Sequence, residues 1–321
     1  MKKPWVSPVR SVVVRVPRLD EARLFYEEAF GLTCFAEAEI DAPAVRELWG
    51  IDGEALRVAQ LGQPGESWGM IELIQSSGVD RLFPPRSSQP EELGLFTLNF
   101  LTTDLDRAMQ RLASRGVSFV SPPQTYETRP GRIIHEVVAQ APDGQRWTLL
   151  QVGGKIDTER HPLGQAIATV GTMVSSLEEA RVFYAGILGL SVALELEGKG
   201  EPFSTLLDVP PEAEMRLILF TSDEAWVGKI EALQLKRPEG DHRSTGDFSL
   251  ARAGSYRMMS FLVSGLDELI VRCRQGGVRL LRGPRSIERP FLGSVRAAVI
   301  GGPGGVLLEL LERSGEARST P

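Results

Sequence analysis

Few side chains in this 321-residue chain could do chemistry, and those that could fall mostly on strand-like stretches. Glu72 lies in WGMIELIQ (68–75). Two-residue alternation puts it on one face with Met70 and Ile74, opposite Ile71 and Leu73. A carboxylate among apolar side chains holds its proton more tightly, which suits a general base or acid. The alternative is an ion pair with Arg15 or Arg57. His135, in RIIHEVVAQ, is the one histidine of three on a predicted strand. Imidazole titrates near neutral pH and could serve as a base; otherwise the ring points outward or is satisfied on the sheet face. His161 and His242 fall in polar linkers and read as solvated. Cys34 and Cys273 read as small buried hydrophobes, with no disulfide framework. The glycines of GGPGG (301–305) precede a strand and not a helix, so they make a hairpin turn and not a phosphate loop. Trp68 and Trp226 each precede a strand and could stack on a planar ligand or pack a hinge.

The background is that of a globular protein: 42% hydrophobic, 24% charged, net charge -6. No Lys/Arg-rich block marks a nucleic-acid surface. No apolar run approaches the roughly 18 residues of a membrane span. MKKPWVSPVR has no apolar core behind its lysines and is not a secretory signal. A cytoplasmic setting is expected, with a small molecule as partner, no nucleic acid and no membrane; a homodimer is compatible with this.

The elements that must position these residues come in repeats. RLDEARLFYEEAFGL (18–32) and SLEEARVFYAGILGL (176–190) share eight of fifteen residues at an offset of 158. Each copy follows an alternating strand (9–17, 168–176) and precedes further strands. Weaker copies begin at LFTLNFLTT (95–103), where Asp104 caps the helix DLDRAMQRLASRG, and at RMMSFLV (257–263), before LDELIVRCRQGG. Trp68 and Glu72 match Trp226 and Glu231, Arg57 matches Arg216, and Arg129-Pro130 matches Arg289-Pro290. The reading is four βαβββ modules, an α+β chain. Residues 1–152 and 165–312 are expected to be two domains of two modules each, joined by a linker at 153–164. Polar stretches at 76–94 and 236–254 separate the modules within each domain.

RLDEARLFYEEAFGL, SLEEARVFYAGILGL, IELIQ and APDGQRWTLLQ make the chain resemble the vicinal oxygen chelate superfamily, which includes glyoxalase, extradiol dioxygenases and bleomycin-resistance proteins. The resemblance implies that paired modules curl into cups that hold the ligand, one cup from each half. It also implies a divalent metal, held by His or Gln on the first strand of a module and Glu on its last. Carried over, these positions are Ser11 and Glu72, Thr97 and Thr148, Thr169 and Glu231, and Met258 and Glu309. None of the first-strand residues is His or Gln. The expectation is a lost metal site and no cofactor, with a hard ion such as Mg on Glu231 and Glu309 left open.

The same mapping puts Glu72 and His135 in the N-terminal cup, as a base and its orienting partner. Ser11, Arg15, Thr97, Asn99 and Thr148 would line that cup, with Trp68 as a wall. Glu231 and Glu309 would face each other in the C-terminal cup beside Thr169 and Met258, one as acid and one as base. Alternatively they pair with Arg216 or Arg296. The expected activity is a metal-independent lyase or isomerase acting on a small carbonyl-bearing or aromatic metabolite. The rivals are a protein that binds and sequesters such a molecule and, further off, an extradiol dioxygenase.

Overall fold

The computed structural model describes residues 4–40, 42–51, 55–76, 93–141, 145–153, 166–223, 225–236 and 256–314. The three polar linkers, with His161 and His242, lie almost wholly outside the described residues. A short β1 (Trp5–Val6) comes first. Module one is β2 (Ser11–Arg15), α1 (Leu19–Phe30), β3 (Thr33–Ile40), α2 (Pro43–Trp49), β4 (Leu56–Gly62) and β5 (Met70–Ser76). Module two is β6 (Gly94–Leu101), α3 (Leu105–Ala113), β7 (Ser118–Phe119), β8 (Gln124–Arg129), β9 (Arg132–Gln140) and β10 (Arg146–Val152). Module three is β11 (Ile167–Met173), α4 (Leu177–Arg181) running into a π-helical turn (Val182–Ile187), β12 (Ser191–Lys199), α5 (Phe203–Leu207), β13 (Glu214–Thr221) and β14 (Lys229–Lys236). Module four is β15 (Tyr256–Ser264), α6 (Leu266–Gln275), β16 (Leu280–Arg289), β17 (Gly293–Gly301) and β18 (Leu307–Arg313).

The repeated motifs have local physical reasons. Gly31 ends α1 in the left-handed region, at φ 67°, where a Cβ would be strained. Asp104 accepts the Arg107 N–H at 2.9 Å at the start of α3, and Ser176 does the same for Glu179 at 3.2 Å. In modules one, two and four a residue near the end of the last strand reaches back to the helix start. Gln75 Oε1 accepts from Leu19 N at 2.8 Å, Gln151 Oε1 from Leu105 N at 2.8 Å, and Glu312 Oε1 from Leu266 N at 3.0 Å. IELIQ and WTLLQ therefore end as they do because strand and helix of one module are tied there.

Two curled mixed sheets of nine strands result, as the α+β reading predicts. Their composition differs from the expectation of one cup per half. One sheet runs β16-β17-β18-β15-β2-β5-β4-β3, with β1 added on β15, and joins module four to module one. The other runs β12-β13-β14-β11-β6-β10-β9-β7, with β8 also on β9, and joins module three to module two. The joins are antiparallel, β15 against β2 and β11 against β6. Repeat matching identifies equivalent modules but says nothing of which pair, so this pairing was not legible.

The crossing of the two sheets is a close backbone approach. Val9 N donates to Gly228 O at 2.8 Å, and Gly69 N to Val9 O at 2.8 Å. A Cβ on Gly69 would lie 2.5 Å from Ile167 O, and one on Gly228 2.6 Å from Val9 O. These are the glycines of the repeated Trp-Gly and Trp-Val-Gly sequences, which explains their recurrence.

One apolar core packs the helices of all four modules against one face of each sheet. It takes in Val12, Val14, Ile71, Phe261 and Leu310 from the first sheet and Phe100, Trp147, Leu149, Ile230 and Phe220 from the second. The opposite, inner faces are the cups, and they are filled differently. In the first sheet, Val13, Ile74, Met258, Ile287, Val299, Leu307 and Leu311 pack with Val45, Leu48 and Trp49 of α2. The sequence reads as a mere break around Trp49-Gly50. The structure forms a helix there that plugs the cup. In the second sheet the apolar filling is smaller: Phe96, Met173, Met215, Leu233 and Leu235 with Leu207 and Phe203 of α5.

Candidate functional site

The plugged cup carries a buried charge cluster at its centre. Alternation along β2, β5, β15 and β18 turns Ser11, Glu72, Ser260 and Glu309 inward, while their neighbours Val12, Ile71, Met259 and Leu308 join the helix-side core. Arg289, at the end of β16, lies among them. Its Nη1 donates to Glu72 Oε1 at 2.7 Å, and its Nη2 to Glu72 Oε2 and Glu309 Oε2, both at 3.1 Å. Ser260 Oγ donates to Glu309 Oε2 at 2.7 Å and Trp49 Nε1 to Glu309 Oε1 at 2.8 Å. Ser11 Oγ is 3.5 Å from Glu72 Oε2. The guanidinium also lies 4.5 Å from the Trp49 ring centroid. Glu72, Glu309 and Arg289 are 1%, 0% and 2% exposed. Burial works to lower the arginine, but Glu309 and Glu72 outweigh it and hold it raised. Buried Arg10 adds a second positive charge within reach of both carboxylates, its own proton affinity lowered first by desolvation.

Glu72 therefore meets the ion-pair alternative, with Arg289 in place of the expected Arg15 or Arg57. Arg57 pairs with Asp20 at 3.0 Å, and Arg15 Nη2 donates to Ser76 Oγ at 2.8 Å at the strand's end. Glu309 does not face Glu231, because the two lie in different sheets. Arg216 and Arg296, the alternative partners, bond instead to Glu197 and to Asp267 and Glu312. Met258, 1% exposed, is part of the apolar plug. The residue beside Glu309 is Ser260, two positions further along β15. The same two-residue offset holds in module two, where the facing residue is Asn99 and not Thr97.

The second cup gathers a different set. Asn99 Nδ2 donates to Thr169 Oγ1 at 2.5 Å and to Glu231 Oε2 at 3.3 Å. Asn99 Oδ1 is buried without a partner. The Thr97 and Thr148 hydroxyls lie 3.1 Å apart. Gly171, where the first cup has Val13, makes room for Thr97, whose Cγ2 would lie 2.5 Å from a Cβ there. Across the cup, Ile134, Glu136 and Val138 of β9 turn inward while Val137 and Ala139 join the helix-side core. The Tyr126 hydroxyl on β8 donates to Glu136 Oε2. The Tyr126 ring lies 5.1 Å from that of Phe203 on α5, so β8 closes over the cup against α5.

Both carboxylates of this cup hold their protons more tightly than usual. Burial pushes Glu231 up to about 7. Burial and the charge of Glu231 push Glu136 up to about 8, against the Tyr126 hydrogen bond, which lowers it. Tyr126 is itself raised, by burial and then by Glu136. Glu231 and Tyr126 still keep accessible surface and are only half-buried. Lys229 and Trp226 on the β14 side, and Arg132 on β9, are half-buried beside them. The first cup's charges, by contrast, are sealed.

Glu136 was not singled out in the sequence; its neighbour His135 was. His135 faces the other way, its Nδ1 2.8 Å from Thr125 Oγ1 at the exposed sheet end, and does not join Glu72. The miss is one residue of strand parity. Trp68 meets Trp5 edge-on at 6.5 Å, a packing role near the sheet crossing, while Trp226 lies in the second cup. Thr97, Asn99 and Thr148 belong to the second cup with Thr169, whereas Ser11 and Arg15 belong to the first. A cleft of about 220 Å³ outside both cups is lined by Arg181, Glu195, Glu197 and Arg216, and these charges pair among themselves.

A divalent ion fits neither cup. In the first, the space between Glu72, Glu309, Ser11 and Ser260 is taken by the cationic Arg289. In the second, the four equivalent residues are Asn99, Thr148, Thr169 and Glu231, one carboxylate among them, and Asn99 turns N–H toward Glu231. Among the described residues no group of three or more His, Cys, Asp or Glu side chains could hold a metal ion. No helix there is long and apolar enough to cross a membrane.

Residues 9–149 match the model of the Glyoxalase/Bleomycin resistance protein/Dioxygenase superfamily. No curated protein sequence matches the chain. Among solved structures, glyoxalase I from Zea mays is similar over 96% of this chain and 93% of its own, with TM-score 0.63 and 18% identity. A proposed dioxygenase from Bacillus subtilis is similar over 96% of this chain and 86% of its own, with TM-score 0.57 and 14% identity. Over residues 9–149 the vicinal oxygen chelate resemblance is borne out, and over the rest of the chain the likeness to these structures is one of fold.

Proposed function

We propose that this vicinal oxygen chelate chain is an enzyme of lyase or isomerase type that moves a proton next to a carbonyl, working in the second cup and without a metal. The observation that carries the reading is the Glu231–Glu136 pair, two carboxylates on the inner face of one sheet, one bonded to Asn99 and the other to Tyr126, and raised to about 7 and about 8. Near neutral pH such a pair holds one proton between two sites, giving a base and an acid together. Glu231, the lower of the two, takes the proton from carbon. Glu136, bonded to Tyr126, returns it. Asn99 holds Glu231 in place through its N–H. The cup's apolar wall of Met215, Leu233 and Phe203 keeps bulk water from levelling these affinities.

The test is deuterium incorporation from heavy water next to the carbonyl of pyruvate and phenylpyruvate, followed by proton NMR. Exchange is expected with the native protein, unchanged by chelator, and reduced about 10²- to 10⁴-fold in Glu231→Gln. Full exchange in both Glu231→Gln and Glu136→Gln would sink the mechanism. Tight binding of either compound with unchanged recovery and no exchange would favour sequestration instead. Stoichiometric iron, lost together with activity on chelation, would favour the dioxygenase.

A further inference from the structure

We infer that the second cup takes a small carboxylate anion, with its charge between Lys229 and Arg132, the two cations that meet over Trp226. The inference rests on the second cup being the working site and adds the class of molecule it selects. Two cations, Arg132 and Lys229, meet at this end of the cup, with exposed Arg129 near enough to add its charge, and among the described residues none of the three pairs with a carboxylate. Arg57, Arg181, Arg216, Arg285 and Arg296, by contrast, each meet an acid. Arg132 and Lys229 lie against the same indole, at 5.2 Å and 5.0 Å from the Trp226 centroid. They come from opposite walls, β9 and β14, which are separated in the sheet by β11, β6 and β10.

Lys229 is lowered to about 8 by desolvation, then by Arg132 and Arg129. Like charges gathered without a counter-charge are costly, and an incoming anion relieves that cost. Spacing supplies the rest. Lys229 and Glu231 share the inner face of β14 two residues apart, about 7 Å along the strand. An anion held at Lys229 thus presents a carbon one or two bonds further on to Glu231. Arg132 and Glu136 repeat the order, cation then carboxylate, on the inner face of β9.

The experiment is calorimetric titration of the native protein with benzoate and with benzamide, its neutral counterpart of the same shape. Benzoate is expected to bind at least tenfold more tightly. Lys229→Met should cut benzoate affinity about ten- to a hundredfold and leave benzamide unchanged. Arg132→Gln, at the first position of its strand, serves as the second variant should Lys229→Met fold poorly. Equal binding of the two probes, no binding of benzoate at millimolar concentration, or benzoate affinity unmoved in both variants would each overturn the inference. Calorimetry reads binding without turnover, so a failure of the proton-exchange reaction leaves this result standing on its own.

Discussion

Replacing Arg289 by methionine removes the charge while keeping much of the volume. In the native chain the guanidinium meets Glu72 through two bonds of 2.7 and 3.1 Å and Glu309 through one of 3.1 Å. Without it, both carboxylates face each other at no more than 1% exposure, with only Arg10 to balance them. Breaking a buried ion network at one partner costs about 3–5 kcal/mol, since the remaining charges stay desolvated. The lost contact with the Trp49 face adds about 1 kcal/mol. Urea denaturation should therefore show a loss of about 4–6 kcal/mol. Two companions separate charge from packing. The triple variant Arg289→Met with Glu72→Gln and Glu309→Gln should recover most of the loss, because no unpaired charge remains. Manganese at millimolar concentration should raise the melting temperature of the single variant and not that of the native protein, since two carboxylates and two hydroxyls then surround a vacated cation position. If the single variant lies within about 1 kcal/mol of the native protein, or manganese stabilises both alike, Arg289 is not a stand-in for an ion and the account of this cup fails.

The second cup predicts a pH dependence of opposite character. Glu231 and Glu136 stand above their unfolded values, so the folded state keeps protons that the unfolded state has released; stability is full below about pH 4.5 and falls by a few kcal/mol as pH rises through 7 and 8. Glu136→Gln should flatten that fall and be the more stable protein at pH 8.5, as denaturation at several pH values will show; an unchanged slope would contradict it. The rate of proton exchange should follow a narrow bell, rising as Glu231 ionises near 7 and falling as Glu136 does near 8. Gly228→Ala should destabilise the chain by about 2–4 kcal/mol, measured in urea, because its φ of 70° and the Val9 carbonyl at 2.6 Å leave a Cβ no room.

The modules were legible because their helix starts and strand ends repeat, and those repeats are hydrogen-bonded ties such as Gln75 to Leu19. The choice between inner and outer faces was not. In RIIHEVVAQ both faces are largely apolar, since one packs on helices and the other lines a cup, so alternation alone could not choose Glu136 over His135. The Arg129-Pro130 and Arg289-Pro290 match was visible, but the two arginines came to differ. Arg289 is drawn inward by two carboxylates, whereas the equivalent cup across the molecule offers Thr148 where Glu309 stands, and Arg129 stays exposed. The register slip at Met258 and Thr97 has the same origin: residues two apart share a face, so a wrong pick still looks right.

The way the modules pair also bears on how the chain is made. Modules two and three are neighbours in sequence, so their sheet can be completed while the polypeptide is still emerging. Module one must wait, because Ser11 finds its partner Ser260 roughly 250 residues later. Until then the edge of β2 stands open and the plug helix has half a cup to fill. The second cup is thus assembled first, and the plugged one closes last, like a clasp. Shortening the chain before β15 would leave the first strand unpaired and exposed to aggregation.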